Sequence, residues 1–78
     1  MEELSTKVRN IVGQVVDDIN LIPDNNIELV GMMSSLAFVK LIVELETTFG
    51  IEIKDEDFDL EKMSTIEKIT HLVASYLA

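Results

Sequence analysis

The stretch SLAFVKLIVELETTF at 35–49 most constrains what this chain can fold into. Its apolar residues Phe38, Val39, Leu41, Ile42, Leu45 and Phe49 recur at spacings of three and four and fill one broad arc of a helical wheel. A helix with so wide an apolar arc is expected to be central and covered on most sides. The opposite arc holds Leu36, Lys40, Val43 and Thr47, with Glu44 and Glu46 on its flanks. Leu36 and Val43 are therefore apolar residues on the side that a core does not need. Gly50 ends the helix as a C′ residue. Ser34 and Ser35 stand at its start, where serine is a favoured N-cap. Residue type alone leaves open whether either hydroxyl does more than cap.

Two further stretches share the helical period. Leu4, Val8, Ile11, Val12, Val15, Val16 and Ile19 form one stripe and predict a helix over 3–19. Ile66, Ile69, Leu72, Val73, Tyr76 and Leu77 form another and predict a helix over 64–78, with Ser64 and Glu67 as a capping box. Between the first two helices, "LIPDNN" at 21–26 breaks the pattern, because Pro23 disfavours the helical conformation at Ile22 and Asp24, Asn25 and Asn26 are turn formers. Ile27, Leu29 and Val30 suggest that this loop packs on the core. The segment 51–63 reads as a loop with one short helical turn, Asp55 as its N-cap and Phe58 and Leu60 as its pins to the core. Only "IEI" at 51–53 alternates like a strand, and it is too short to build a sheet. The expectation is an all-α fold: one domain over 1–78, a small bundle of three long helices and one short helix.

Composition narrows the function. With 78 residues the chain has a thin core, and with no cysteine it has neither a disulfide nor a thiolate metal site to support it. At a formal net charge of −9 the chain is expected to repel nucleic acid backbones and anionic membranes, which attract basic patches. It suits partners with basic docking surfaces. A hydrophobic content of 47% is too high for a disordered acidic tail. "MEELSTKVRN" is polar and mixed in charge, unlike a signal peptide, and a cytoplasmic protein is the expectation.

Catalytic chemistry is hard to assemble from these residues. His71 is the single histidine, a quarter turn from its helix's apolar stripe, and it reads as a surface residue rather than a metal ligand or triad member. The glycines Gly13, Gly31 and Gly50 are scattered, so no phosphate loop forms. Asp55, Asp57 and Asp59 start like a calcium loop, but Leu60 stands where that loop needs glycine and Ile66 where it needs a bidentate glutamate. The run reads as a solvated acidic surface, and the chain as a non-enzyme.

"SSLAFVKLIVELETTFGIEI" and the run "FGIEIKDEDFDLEKMSTIEKI" resemble the acyl carrier protein family over nearly the whole chain. The serine position, the helix spacings and the Phe-Gly helix end all match together. The resemblance implies a freestanding carrier whose Ser35 bears a 4′-phosphopantetheine arm derived from coenzyme A, with acyl or aminoacyl cargo held as a thioester on the arm's thiol. Ser34 keeps the cap and is the alternative attachment point. The implied partners are a phosphopantetheinyl transferase and the loading and downstream biosynthetic enzymes, with no nucleic acid and no membrane, and the carrier itself a monomer. By the same resemblance, Leu36, Lys40, Val43, Glu46 and Thr47 form the surface that enzymes contact.

The chain departs from the family in ways that shape the expectation. Ser34 replaces the usual Asp before the serine. The acid is concentrated instead at 52–61, where six acidic residues face one lysine. This points to a dedicated partner set in a specialised pathway rather than bulk fatty-acid synthesis. Phe38 is bulky near the modified serine, which favours short or aminoacyl cargo. The alternative is an unmodified, carrier-like acidic adaptor that binds partners non-covalently.

Overall fold

The computed structural model describes residues 2–16, 24–29, 31, 33–59 and 61–78, with the Glu2 side chain left aside. Among these residues the fold is all-helical and contains no strand: α1 (Glu2–Val15), α2 (Ser35–Phe49), a 3-10 turn (Asp55–Asp57) and α3 (Ile66–Leu77). The turn is three residues long where a short fourth helix is expected. Leu60, in the middle of that segment, lies outside the described residues, as do Ile19, Pro23 and Val30 of the expected first helix and loop.

The α1 stripe is the expected one. Val8, Ile11, Val12 and Val16 are buried, with Leu4 and Val15 half-buried beside them. α1 packs on both α2 and α3, while α2 and α3 touch least, so α1 is the central helix. This corrects the expectation that α2 is covered on most sides. Only Leu41, Ile42 and Leu45 of α2 are buried. Val39, expected in the core arc, is 55% exposed, because α1 runs beside its row of the helix rather than over it. Leu77, the last residue of α3, is likewise half exposed and leaves the expected stripe.

The loop after α1 packs on the core as expected. Leu29 is fully buried and Ile27 half-buried. Backbone bonds hold the loop against the start of α3: Leu29 N–H donates to Ser64 O at 2.6 Å, and Glu67 N–H donates to Asn25 O at 3.0 Å. Arg9 of α1 reaches the same loop, donating to Asn25 Oδ1 at 3.0 Å.

These bonds also move the α3 cap. The Ser64 hydroxyl donates to Glu61 O at 3.3 Å, and its carbonyl accepts from Leu29, so Ser64 belongs to the preceding turn. Thr65 is the N-cap instead, extended at φ −136° and ψ 161°, and its Oγ1 accepts from Lys68 N–H at 3.0 Å. The capping-box partner three residues on is then Lys68, which cannot accept, so the expected Ser64–Glu67 box does not form.

Two expectations in 51–63 are also corrected. Asp55 lies inside the 3-10 turn, and Lys54 holds the cap position without a side-chain bond. Phe58 is 46% exposed and pins nothing. The pins are Ile53 and Met63, 3% and 0% exposed. A polar latch stands beside them. The Tyr76 hydroxyl of α3 donates to Asp57 Oδ2 and accepts from Lys54 N–H at 3.0 Å. Lys62 Nζ pairs with Asp57 Oδ1 at 3.1 Å.

Candidate functional site

The start of α2 divides two tasks between adjacent serines. Ser34 is extended at φ −74° and ψ 169°, and its Oγ accepts from Ala37 N–H at 3.1 Å while its carbonyl accepts from Phe38 N–H at 3.0 Å. That is the full work of an N-cap. Ser35 is the first helical residue, exposed, and among the described residues its hydroxyl has no hydrogen-bond partner. The first-turn N–H groups at 35 and 36 have no partner within the helix, and no acidic residue stands in that turn. An anion joined to Ser35 therefore meets the positive end of the helix dipole without a competing carboxylate. The exposed hydroxyl and this acid-free helix start fit a phosphodiester arm. Gly31, at φ +92°, turns the chain toward the site in a conformation that side chains disfavour, with nothing within 4 Å of where a Cβ would sit.

Leu36, Lys40, Val43 and Thr47 lie one above another on the exposed face of α2, one turn apart from the serine downward. Leu36 is 65% exposed and Val43 51%. Glu46 stands apart from them. It is half-buried, and its Oε2 accepts from Ile53 N–H at 2.9 Å, which ties the segment after Gly50 back to the helix. Gly50 itself is left-handed at φ 64° and ψ 37°, and its N–H donates to Glu46 O. The sequence placed Val39 and Val15 in core-facing stripes and gave Gln14 no role. With Lys40, Val43 and Glu44 they line a groove of about 330 Å³ between α1 and α2. The Val39 exposure could have been found only by knowing where α1 lies.

His71 is exposed on α3 and borders an open groove of about 810 Å³ with Glu67, Lys68 and Leu72. Among the described residues no three of His, Cys, Asp and Glu gather as metal ligands. Asp55, Asp57 and Asp59 do not converge: Asp59 Oδ1 accepts from Glu61 N–H in a local turn, and Asp57 is taken by Tyr76 and Lys62. The hydrogen bonds from Tyr76 and from Lys62 hold the Asp57 carboxyl below its ordinary range. The same Asp57 pushes the Tyr76 phenol and the Lys62 ammonium upward. No described helix is long and apolar enough to cross a membrane.

Comparison with known proteins agrees with the geometry. Residues 2–73 match the family described as "Phosphopantetheine attachment site". The D-alanyl carrier proteins of Streptococcus pyogenes serotype M1, serotype M5 (strain Manfredo) and serotype M49 (strain NZ131) are each 35% identical to the chain over 54 residues. That alignment covers 69% of this chain and 68% of each relative. Proteins of this kind catalyse nothing themselves and work with a phosphopantetheinyl transferase and with biosynthetic enzymes. The chain belongs to the acyl carrier protein family, a non-catalytic carrier whose cofactor is covalent 4′-phosphopantetheine.

Proposed function

We propose that Ser35 is the attachment point of the phosphopantetheine arm and that the chain carries short aminoacyl or acyl groups on it as thioesters. The observation that carries this reading is the division of labour at the helix start: Ser34 is engaged in capping while the Ser35 hydroxyl is exposed and unbonded among the described residues. The arm supplies a thiol, which the chain lacks because it has no cysteine. The chain's own contribution is to present the serine at a rigid helix start and to favour the phosphate there. A thiol on such an arm has a high effective concentration at any active site against which the domain docks.

An aminoacyl cargo has two supports. The relatives are named D-alanyl carrier proteins. Phe38, three residues past Ser35, packs half-buried against the core, where it narrows the room for a long acyl chain. The wider proposal is a single carrier domain over 1–78, a four-helix bundle counting the short turn at 55–57, monomeric, cytoplasmic, and serving a specialised pathway. Leu36, Lys40, Val43 and Thr47 are its enzyme-facing side chains, with Glu46 holding the helix end.

The test is intact mass after incubation with coenzyme A and a promiscuous phosphopantetheinyl transferase. One phosphopantetheine gained by the wild type and by Ser34→Ala, but not by Ser35→Ala, is the expected result. Gain lost in Ser34→Ala and kept in Ser35→Ala would move the site to Ser34. No gain in any form would replace the carrier reading with that of a non-covalent adaptor.

A further inference from the structure

The open groove beside α3 takes no part in the carrier reading, and none of its lining residues belongs to α2. Its volume of about 810 Å³ falls within the roughly 300–1,000 Å³ of small-ligand clefts. Three stretches distant in sequence meet around it: the loop at 26–28, the segment holding Asp57, Glu61 and Lys62, and the first half of α3. The backbone bonds from Leu29 to Ser64 and from Glu67 to Asn25 hold that loop against the start of α3. Half-buried Leu72 and the exposed ring of His71 stand on the α3 wall. Four carboxylates and two ammoniums line the groove, and both ammoniums are engaged. Lys62 Nζ donates to Asp57 Oδ1 at 3.1 Å and to Glu56 O at 3.3 Å, and Lys68 Nζ donates to Glu61 O at 3.4 Å. Glu28, Glu61 and Glu67 are exposed, and among the described residues no hydrogen bond or ion pair reaches their carboxylates. With Lys62 balancing Asp57, these three acids face the single charge of Lys68. Like charges held around one cleft repel each other and focus a negative potential into it.

We infer that this groove receives an arginine side chain of a partner protein, its alkyl stem lying on Leu72 and its guanidinium among Glu28, Glu61 and Glu67. A long side chain with a cationic head matches a cleft that has hydrocarbon on its wall and acid at its rim. Arginine suits it better than lysine for two reasons. Its planar fork offers five donors to carboxylates that stand apart, and it stacks on an aromatic ring such as that of His71. Seating the cation also relieves the repulsion among the three glutamates. Net charge alone does not choose this place, because Glu52, Asp55 and Glu56 carry as much charge and line no part of the groove. The inference goes beyond the carrier reading, since it engages neither Ser35 nor any residue of α2.

Methyl and amide NMR of the unmodified protein tests this with a capped peptide holding one arginine among alanines and glycines, and with its citrulline counterpart, which keeps the shape and lacks the charge. The arginine peptide is expected to shift the Leu72 methyls and the Glu67 and His71 amides saturably, and to weaken about three-fold or more between roughly 50 and 500 mM salt. The citrulline peptide should bind about ten-fold more weakly. Two triple variants, each removing three exposed charges, separate the groove from the general field. Glu28→Gln with Glu61→Gln and Glu67→Gln should weaken the arginine peptide about ten-fold, while Glu52→Gln with Asp55→Asn and Glu56→Gln should change it less than about two-fold. Unchanged α2 amide shifts in both variants show that each is folded. Three results overturn the inference: no saturable shift at Leu72, equal binding of the citrulline peptide, or equal weakening by the two triple variants. The titration needs no arm on Ser35, so its failure is distinct from failure of the mass test.

Discussion

The exposed face of α2 and the segment 51–63 carry opposite chemistry, and they are held in opposite ways. The α2 face displays Leu36, Val39 and Val43 to solvent, and its backbone is secured at both ends, by the Ser34 cap and by left-handed Gly50. The segment 51–63 displays carboxylates and has little regular structure, three residues of 3-10 turn. It is secured from outside, by Ile53 and Met63 in the core, by Glu46 on Ile53 N–H, and by the Tyr76–Asp57–Lys62 latch. A helix can leave apolar side chains unpaired because its backbone bonds are internal. A loop has to borrow its partners from elsewhere. The exposed apolar face is therefore built on the element that needs least from its neighbours.

That contrast is sharpest between neighbours on α2. Leu45 is fully buried and Val43 half exposed. Leu45→Ala should lose about 2–5 kcal/mol of stability in chemical denaturation, while Val43→Ala should stay within roughly 0.5 kcal/mol. Equal losses would mean that the α2 face is part of the core.

The helix ends come next. Gly50→Ala forces a side chain into the left-handed region and should lose about 1–2 kcal/mol, although nothing lies within 4 Å of the added Cβ. Ser34→Ala should lose about 1 kcal/mol of stability and leave the proposed modification at Ser35 intact.

The latch sets a pH dependence with a definite sign. Asp57 is depressed in the folded state by Tyr76 and Lys62. The stability it contributes is present above its unfolded value near 3.8 and is lost as pH falls through its lower folded value. Tyr76 and Lys62 are raised, so their contribution is present below their unfolded values of 10.0 and 10.5 and is lost as pH rises through the folded ones. The latch is therefore closed across the neutral range. Asp57→Asn should flatten the acid limb of a stability–pH profile, and Tyr76→Phe should speed amide exchange at Ile53 and Lys54 while leaving α2 unchanged. Faster exchange in α2 would show that the two regions are coupled. The smallest effect belongs to Phe58→Ser, within roughly 0.5 kcal/mol by thermal melting, because Phe58 is nearly half exposed.

The bounds of α2 could be read from the sequence because its signals are local. Ser34 and Gly50 bracket an uninterrupted apolar period, and the helix runs Ser35–Phe49 as expected. The cap of α3 could not, since Leu29 and Glu61 draw Ser64 out of the helix from a distance in sequence. Phe58 failed as a pin for the same reason. Hydrophobicity suggests burial, but whether another element arrives above the ring is a question of packing. Tyr76 and Asp57, 19 residues apart, carry no pattern that announces their pairing.

By itself the sequence determined the helical class, the limits of α2, the two serines at its start, and the acid at 52–61. All of these rest on period, propensity and spacing within a few residues. Only the tertiary structure decided that α1 is the central helix, that Val39 faces outward, that Glu46 and Asp57 are engaged, and that a groove opens between α1 and α2. Those outcomes depend on which surfaces meet across the fold, and a helical wheel records the direction of a side chain but not what stands opposite it.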